Sequence, residues 1–162
     1  PSSRITPDGE VMGSYGSGSI DAGATATRMA RQEAHFEVHG FGLWAVERRA
    51  DGAFLGFSGF RHLTDEIHPM NPCVEASWRQ ARFAWGRGYA TEAASAGLID
   101  AFERIGLETV WAWAAELNKR SQAVMMRLGM TRRPMRDFES PGVPQGHPLR
   151  PHVVFSATRK AD

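Results

Sequence analysis

Two strand-forming runs separated by a turn signal constrain the fold of this chain most. The runs LWAVERR (43–49) and FLGFSGF (54–60) are rich in aromatic and aliphatic residues, and Asp51-Gly52 lies between them. Asp-Gly is the dipeptide that best suits the tight turn of a β-hairpin. The sequence therefore predicts an antiparallel hairpin, so the fold must contain a sheet with antiparallel strands.

The remaining elements alternate between helix and strand. The strongest helix signal covers 88–105, where apolar residues recur at helical spacing and Gly106 can end the helix. A helix over 22–39 can begin at Asp21 and end before Gly40. The other predicted elements are strands over 73–80, 109–115 and 152–158, a short helix from Asn118 to Leu128, and loops over 1–20, 61–72 and 131–151. Hairpins combined with strand–helix–strand units predict a mixed sheet with helices on its faces.

The composition favours one domain and argues against several kinds of partner. The chain has 162 residues, which suits a single compact domain over 1–162. Its net charge of +1, without a basic run, argues against a nucleic-acid binder. No signal pattern or membrane-length apolar run is present, so no membrane partner is expected. Cys73 is the only cysteine, which rules out an intrachain disulfide and fits a cytoplasmic location.

The segment FAWGRGYATEA (83–93) is the main candidate for a ligand site. It follows a predicted strand and opens the strongest helix, with Gly86 and Gly88 separated by one residue. Glycine lets a ligand approach the backbone closely, and a helix N-terminus has free amides that attract anions. The pattern fits a pyrophosphate site, although a plain strand-to-helix turn would have the same residues. No Gly-Lys-Ser/Thr follows, and Thr91 stands where a dinucleotide fingerprint has its third glycine, so nucleotide hydrolysis and hydride transfer are disfavoured.

Several ordered blocks resemble the GNAT acyltransferase superfamily, and most closely its branch of ribosomal-protein N-terminal (alanine) acetyltransferases. The blocks are WGRGYATEA, AFERIGLETVWAWAAELNKRSQAVMMRLGM (101–130), the hairpin segment 40–60 and the tail DFESPGVPQGHPLRPHVVF (137–155). The resemblance as a whole extends over roughly residues 8–158. The resemblance implies an α+β GNAT fold, with a central mixed, mostly antiparallel sheet and helices on both faces. In this fold the parallel strands 73–80 and 109–115 splay apart. It also implies an N-acetyltransferase that moves an acetyl group from acetyl-CoA to an amine by direct attack.

The resemblance further implies which residues contact the cofactor. Backbone amides from about Phe83 to Ala90 would bind the pyrophosphate, and Gln80 with its neighbours would offer backbone groups to the acetyl-pantetheine arm. Asn118 and Ser121 stand where the family contacts the pantetheine or its sulfur, although they could instead be a helix cap and an ordinary first-turn residue. The full set of expected cofactor-binding residues is Gln80, Ala81, Arg82, Phe83, Gly86, Arg87, Gly88, Tyr89, Ala90, Thr91, Asn118, Ser121 and Met125.

Glu75 and Ser121 are the expected catalytic residues. The resembled branch often has a carboxylate at the position of Glu75, where it could take a proton from the attacking ammonium or contact the substrate; the alternative is a strand residue that faces solvent. Many members of the superfamily have a tyrosine seven residues after the motif asparagine, but Met125 stands there. A thioether cannot donate a proton, so we expect Ser121 or water to hydrogen-bond the departing sulfur.

The histidines and the cysteine are not among the expected catalytic residues. His62 and His68 flank two acidic residues in a predicted loop, which does not fix the side chains well enough for a metal site. His147 and His152 belong to the family-like tail and are interpreted as structural or substrate-side residues. Cys73 has no neighbouring feature that would lower the pKa of its thiol, so no acyl-accepting role is expected.

The acceptor and the N-terminal region leave alternatives open. The acceptor amine is either a protein N-terminus or a small molecule, and a non-catalytic acyl-CoA-binding or sensor domain is the alternative to an enzyme. Members of the family usually begin with a strand and a helix, yet only about a dozen residues precede Val11. We therefore expect a sheet edge that is either covered by a helix or loop or paired with a second copy in a homodimer.

Overall fold

A computed structural model describes the backbone of residues 22–159 and the side chains of residues 30–159. The expected loop over 1–20, the capping role of Asp21 and the question of a missing first strand lie outside the described residues. Within the described range, the order of the elements agrees with the order predicted from the sequence.

Three helices and seven strands make up the described part of the chain. The helices are α1 (Ala22–His39), α2 (Tyr89–Glu103) and α3 (Lys119–Arg127). The strands are β1 (Leu43–Arg48), β2 (Ala53–Leu63), β3 (Cys73–Gln80), β4 (Thr109–Ala115), β5 (Thr131–Arg132), β6 (Phe138–Glu139) and β7 (Pro151–Thr158). Two short 3₁₀ helices cover Arg82–Ala84 and Pro134–Arg136. Among the helices described, none is long and apolar enough to cross a membrane.

The predicted hairpin forms, and two other regions differ from expectation. β1 and β2 pair antiparallel, and Gly52 in their turn has a left-handed φ of +67°. β2 continues to Leu63 because its end pairs with β3, so His62 lies in a strand rather than in the predicted loop. β5 and β6 occur inside the predicted loop over 131–151, where each is a two-residue strand paired with β7. Such strands depend on distant pairing, which local propensity does not reveal.

The strands form one mixed sheet in the order β1-β2-β3-β4-β7-β5, with β6 also paired to β7. All neighbouring pairs are antiparallel except β3 and β4. The parallel pairing of β3 and β4 is limited to one register position, Glu75 opposite Trp111, beyond which the two strands separate. The predicted α+β fold with a mixed, mostly antiparallel sheet and splayed parallel strands is therefore confirmed.

The main hydrophobic core fills one face of the sheet. Val74 and Ala76 of β3 and Val110 of β4 pack there with Leu98 of α2 and Met125 of α3. These side chains alternate along their strands with residues of the opposite face, as the pleat of a strand requires. Burying them contributes roughly 25 cal/mol per Å² of apolar surface, which holds α2 and α3 against the sheet.

The opposite face carries a smaller apolar cluster beside the gap between β3 and β4. Its buried members are Leu63, Met70 and Val154, with Cys73, Trp111, Trp113 and Phe138 packed against them. Glu75 points to this face as well, because it alternates with Val74 and Ala76 of the main core. The gap in the sheet is thus bordered by apolar rings and one buried carboxyl group.

Candidate active site

A turn with two left-handed glycines connects β3 to α2. Gly86 and Gly88 have φ values of +71° and +83°, and a Cβ added at either position would meet no protein atom within 4 Å. Gly88 is the N-cap residue of α2 and supplies no side-chain cap. The first amides of α2 therefore have no partner within the helix and border open space, which is the arrangement that binds phosphate groups.

Not all of the backbone amides from about Phe83 to Ala90, which were predicted to bind a pyrophosphate, are available to a ligand. The Ala84 amide donates to the Ala81 carbonyl at 2.9 Å, and the Trp85 amide donates to the Arg82 carbonyl at 3.1 Å. These bonds belong to the 3₁₀ turn that follows β3, so both amides are occupied. The amides that can face a ligand run instead from Gly86 to Thr91.

A cavity of about 1060 Å³ opens at this turn. Gly86, Gly88 and Thr91 line one end of it, and residues of α3 form a facing wall. Four cations line the cavity, namely Arg79, Lys119, Arg120 and Arg127, whereas Glu92 is the one carboxylate among its described lining residues. This excess of positive charge suits a ligand that carries several phosphates.

Arg120 and Trp85 form a cation–π pair in the wall of the large cavity. The guanidinium carbon of Arg120 lies 4.5 Å from the centroid of the indole ring. The ring itself is held in place because its Nε1 donates to the Gln80 carbonyl at 3.0 Å. Lys119, Arg120 and Trp85 were not predicted from the sequence as site residues. A signal was present, since Lys119-Arg120 lies inside the N-x-x-S motif and so begins the helix that faces the turn.

Gln80 ends β3 with an unused hydrogen-bond donor. Its side chain is buried in the lining of the large cavity, and the amide nitrogen Nε2 has no partner within the described residues. A buried unpaired donor costs about 1–3 kcal/mol, so a ligand that accepts this bond would remove a penalty. The backbone amide of Ala81, in contrast, donates to the Leu55 carbonyl at 2.8 Å and is not available to a pantetheine arm.

A second cavity, of about 90 Å³, lies where β3 and β4 separate. Glu75 and Ser77 of β3, Trp113 of β4 and His152 of β7 are among its lining residues. Four residues, Trp78, Asn118, Ser121 and Leu149, line both this cavity and the large one. The two cavities therefore adjoin at the gap in the sheet.

Glu75 is buried in the wall of the smaller cavity, and its side chain does not face bulk solvent. Its Oε2 accepts hydrogen bonds from Nε and Nη2 of Arg61, at 3.0 Å and 2.5 Å. Burial raises the pKa of the Glu75 carboxyl group, and the Arg61 guanidinium opposes part of that rise. The carboxyl group is thus held at a fixed place with its charge partly balanced.

Asn118 caps α3, and its place and that of Ser121 leave contact with a cofactor open as well. The Oδ1 of Asn118 accepts from the Ser121 amide at 3.1 Å, which is the geometry of a helix N-cap. Both residues also line both cavities. The cap leaves the Ser121 hydroxyl out of the helix hydrogen bonding, at the junction of the cavities.

Rings from four segments meet beside the smaller cavity. The His68 ring lies 5.0 Å from Trp113 and 4.9 Å from Phe138, and Phe138 stacks on His152 at 5.4 Å. His62 is elsewhere, since its ring stacks on His39 near α1. The described residues contain no group of three or more metal-ligating side chains placed to hold an ion. Burial raises the pKa of the nearby Cys73 thiol to about 11, which leaves it protonated and unreactive.

Residues 2–131 match the family model described as an acetyltransferase (GNAT) domain. The chain belongs to the GNAT acetyltransferase family. The family uses acetyl-CoA as its acetyl donor, which agrees with the cofactor predicted from the sequence. A GNAT relative of Aspergillus fumigatus, FsC-acetyl coenzyme A-N(2)-transacetylase, is 31% identical over 130 residues, or 76% of this chain and 52% of that protein. This chain therefore spans about half the length of that relative.

Solved structures of GNAT proteins share the fold. The acetyltransferase of Agrobacterium tumefaciens str. C58 is 27% identical with a TM-score of 0.66, over 88% of this chain and 75% of that one. The yncA protein of Salmonella typhimurium, solved with its cofactor acetyl-CoA, is 22% identical with a TM-score of 0.68, over 89% and 77% of the two chains. The ribosomal-protein-S5-alanine acetyltransferase of Vibrio fischeri has a TM-score of 0.66 at 14% identity, over 83% and 70%. The superfamily prediction is confirmed, and the likeness to the ribosomal-protein enzyme is one of fold.

The residues expected to bind the GNAT cofactor divide into two groups in the structure. Those that line the large cavity are Gln80, Gly86, Gly88, Ala90, Thr91, Asn118 and Ser121. Those that do not line it are Ala81, Arg82, Phe83, Arg87, Tyr89 and Met125. The Met125 side chain is fully buried in the main core, so it lies behind the cavity wall rather than beside a bound sulfur.

Proposed function

We propose that this GNAT domain acetylates a primary amine, with acetyl-CoA in the large cavity and the amine in the smaller one. The observation that carries the proposal is that the two cavities share Asn118 and Ser121 at the gap between β3 and β4. A thioester at this junction would be open to an amine that enters from the opposite face of the sheet. Bound acetyl-CoA supplies an activated acetyl group, and the chain supplies binding, orientation and proton transfer.

The donor half of the site has the groups that a CoA molecule needs. Gly86 and Gly88 leave room for a diphosphate at the amides of α2, and Lys119 and Arg120 add positive charge to the facing wall. The buried Nε2 of Gln80 would donate to an amide oxygen of the pantetheine arm, which would satisfy a donor that the chain itself leaves unpaired.

The backbone of β3 can stabilise the charge that develops on the acetyl oxygen. The Ala81 amide donates to a carbonyl of β2. Successive amides of a strand point to opposite sides, so the amide of Gln80, one residue earlier, is directed away from β2 and toward β4. β4 pairs with β3 only where Trp111 lies opposite Glu75, so the two strands have already separated at the position of Gln80. We assign the Gln80 backbone amide as the donor to the developing oxyanion.

The smaller cavity, where we place the acceptor, favours a molecule with one unhindered primary amine. Its volume of about 90 Å³ admits a primary amine on a short stem, with Trp78 and Trp113 in the walls. Glu75 is the one carboxylate among the described lining residues, and Arg61 already balances part of its charge. A polyamine with several ammonium groups would find too few carboxylates here. The N-terminus of a peptide or a small monoamine suits the site better, with Glu75 as the group that attracts the ammonium.

Release of the CoA thiol from acetyl-CoA, measured with a panel of amines, tests the proposal. The panel contains peptides with free and with blocked N-termini, single amino acids and spermidine, and mass spectrometry of each product identifies the added acetyl group. We expect release that depends on a free amine and that is weakest for spermidine. Acetyl-CoA binding without acceptor-dependent release would favour the non-catalytic sensor domain, and absence of CoA binding would contradict both readings.

A further inference from the structure

His152 is fixed in the wall of the smaller cavity by two neighbouring strands. It lies near the start of β7, where it is the register partner of Phe138 in β6 and of Ala115 in β4. Its ring stacks on Phe138 with centroids 5.4 Å apart and an angle of 17° between the ring planes. The imidazole thus has a defined orientation at the place where we locate the acceptor amine.

A hydrogen bond determines which ring nitrogen of His152 carries the proton. Nδ1 lies 3.0 Å from the carbonyl oxygen of Arg150. A carbonyl oxygen can only accept, so in the neutral ring Nδ1 carries the hydrogen and Nε2 keeps the lone pair. Nε2 is therefore in the form that a general base requires.

The other titratable groups on this side of the sheet are held in less suitable forms. His68, in the loop before β3, accepts from the Met70 amide through Nδ1 at 3.2 Å, so its Nε2 carries the hydrogen and no lone pair remains. Glu75 of β3 is committed to Arg61 of β2, and proton uptake by the carboxylate would weaken a charge-assisted pair. Glu75 lines the same cavity as His152, while burial and the charges of Arg61 and His152 lower the pKa of His68.

We propose that Nε2 of His152 is the general base of the acetyl transfer, an inference that rests on the proposed function. The acceptor ammonium gives one proton to Nε2, and the freed lone pair forms the C–N bond as the carbonyl π electrons move onto the acetyl oxygen. The C–S bond of the thioester breaks when the carbonyl re-forms. The sulfur leaves with the electron pair of the C–S bond and takes the second proton lost by the amine nitrogen. His152 returns its proton to water, so the products are the amide, the CoA thiol and one hydronium ion. Glu75 orients the ammonium toward Nε2.

His152→Gln tests the base directly, with His39→Gln as the matched control. Glutamine keeps a polar side chain but does not accept a proton, so kcat/KM should fall by about 10²-fold or more near neutral pH. The loss should shrink as the pH rises and the amine deprotonates without help, and added imidazole should restore part of the rate. His39 is exposed at the end of α1 and lines neither cavity, so His39→Gln should match the wild type. The dissociation constant of acetyl-CoA, measured by calorimetry, should be unchanged in both variants. A His152→Gln protein with wild-type kcat/KM and an unaltered pH profile would overturn the inference.

A second measurement does not depend on turnover. Proton–nitrogen correlation spectra of the histidine rings in the wild-type protein should show His152 as the Nδ1–H tautomer and His68 as the Nε2–H tautomer. An Nε2–H tautomer at His152 would overturn the base assignment even in an active transferase. A wild-type protein that acetylates no amine of the panel would contradict the proposed function itself, whatever the tautomers.

Discussion

Arg61 and Glu75 lie directly opposite each other in β2 and β3, and two nitrogens of the guanidinium group donate to the same carboxylate oxygen. The two partners differ in exposure, since the Arg61 side chain is 48% exposed and the Glu75 side chain 10%. An exposed cation therefore holds a buried carboxyl group in the wall of the acceptor cavity. The charge of the proposed amine site depends on this cross-strand pair.

Replacing Arg61 by methionine should destabilise the protein by an amount that grows with pH. Burial raises the pKa of Glu75, and the variant removes the cation that opposes this rise. A carboxyl group whose pKa is raised on folding contributes stability that is fully present below its unfolded pKa and is lost as the pH rises through its folded pKa. The cost of Arg61→Met should therefore be small in acid and reach about 1–3 kcal/mol near neutral pH. Urea unfolding of the variant and the wild type at a series of pH values measures this difference in the free energy of unfolding.

Arg104→Met provides the matched control for this prediction. Arg104 pairs with Asp100 one helical turn earlier, on the exposed side of α2. Water can solvate Asp100 when its partner is removed, so the free energy of unfolding should change much less than in Arg61→Met. A cost of Arg61→Met that is the same in acid and at neutral pH would contradict the role assigned to Glu75 burial.

The sequence predicts well those features that depend on local signals. The Asp51-Gly52 turn, the start of α2 after Gly88 and the Asn118 cap of α3 each depend on a few adjacent residues, and all three are present. Local chemistry fixes backbone conformation at turns and caps, so a short motif suffices. The resemblance of the same motifs to a family added the cofactor and the splayed strands.

Features that depend on register or on distant pairing could not be predicted from the sequence. The contact of Arg61 with Glu75 and the stacking of Phe138 on His152 both join residues that become opposite only when strands pair. Met125 was expected beside the leaving sulfur, but it lies on the face of α3 that packs against the sheet, so its side chain is buried in the main core. Sequence spacing gave its position along the helix and not the face that packs against the sheet.

Gly88→Val should abolish CoA binding while the protein stays folded. The added side chain would occupy the space at the α2 N-terminus, and the left-handed φ of +83° would be strained by about 1–2 kcal/mol. Gly146→Val is the control. Gly146 lies in the loop before β7, and it has a similar φ of +79° and no protein atom within 4 Å of an added Cβ. Calorimetric titration with CoA should show loss of binding in the first variant only. Equal affinity in both folded variants would rule out the phosphate site at this turn.

Cys73→Ala should leave the rate of acetyl transfer almost unchanged. The pKa of about 11 keeps the thiol protonated near neutral pH, so no acyl-cysteine should form on the way to product. Initial-rate kinetics should accordingly fit a sequential mechanism with both substrates bound. A parallel-line pattern together with an acetylated Cys73 in the mass spectrum would show instead that the acetyl group passes through the protein.

Met125→Tyr should destabilise the protein without improving catalysis. The Met125 side chain is fully buried in the main core, where a larger ring with a hydroxyl has no room. Overpacking of this kind costs about 1–3 kcal/mol, and the buried hydroxyl adds to the cost if it finds no partner. Thermal unfolding and kcat, measured together, check the prediction. A higher kcat in a stable variant would mean that this position does reach the leaving sulfur.

Ser121→Ala should slow turnover by about five-fold, because one hydrogen bond to the departing sulfur, worth about 1 kcal/mol, is lost. The substitution keeps the backbone amide that donates to Asn118, so the cap of α3 and the fold should be preserved. Ser95→Ala is the control, since Ser95 lines the large cavity but not the junction with the smaller one. The loss in Ser121→Ala should appear in kcat and not in the dissociation constant of acetyl-CoA. An activated thioester whose leaving thiol has a lower pKa should also reduce the difference between variant and wild type, because such a sulfur needs less help to depart. A five-fold loss that persists unchanged with that donor would assign Ser121 to substrate positioning instead.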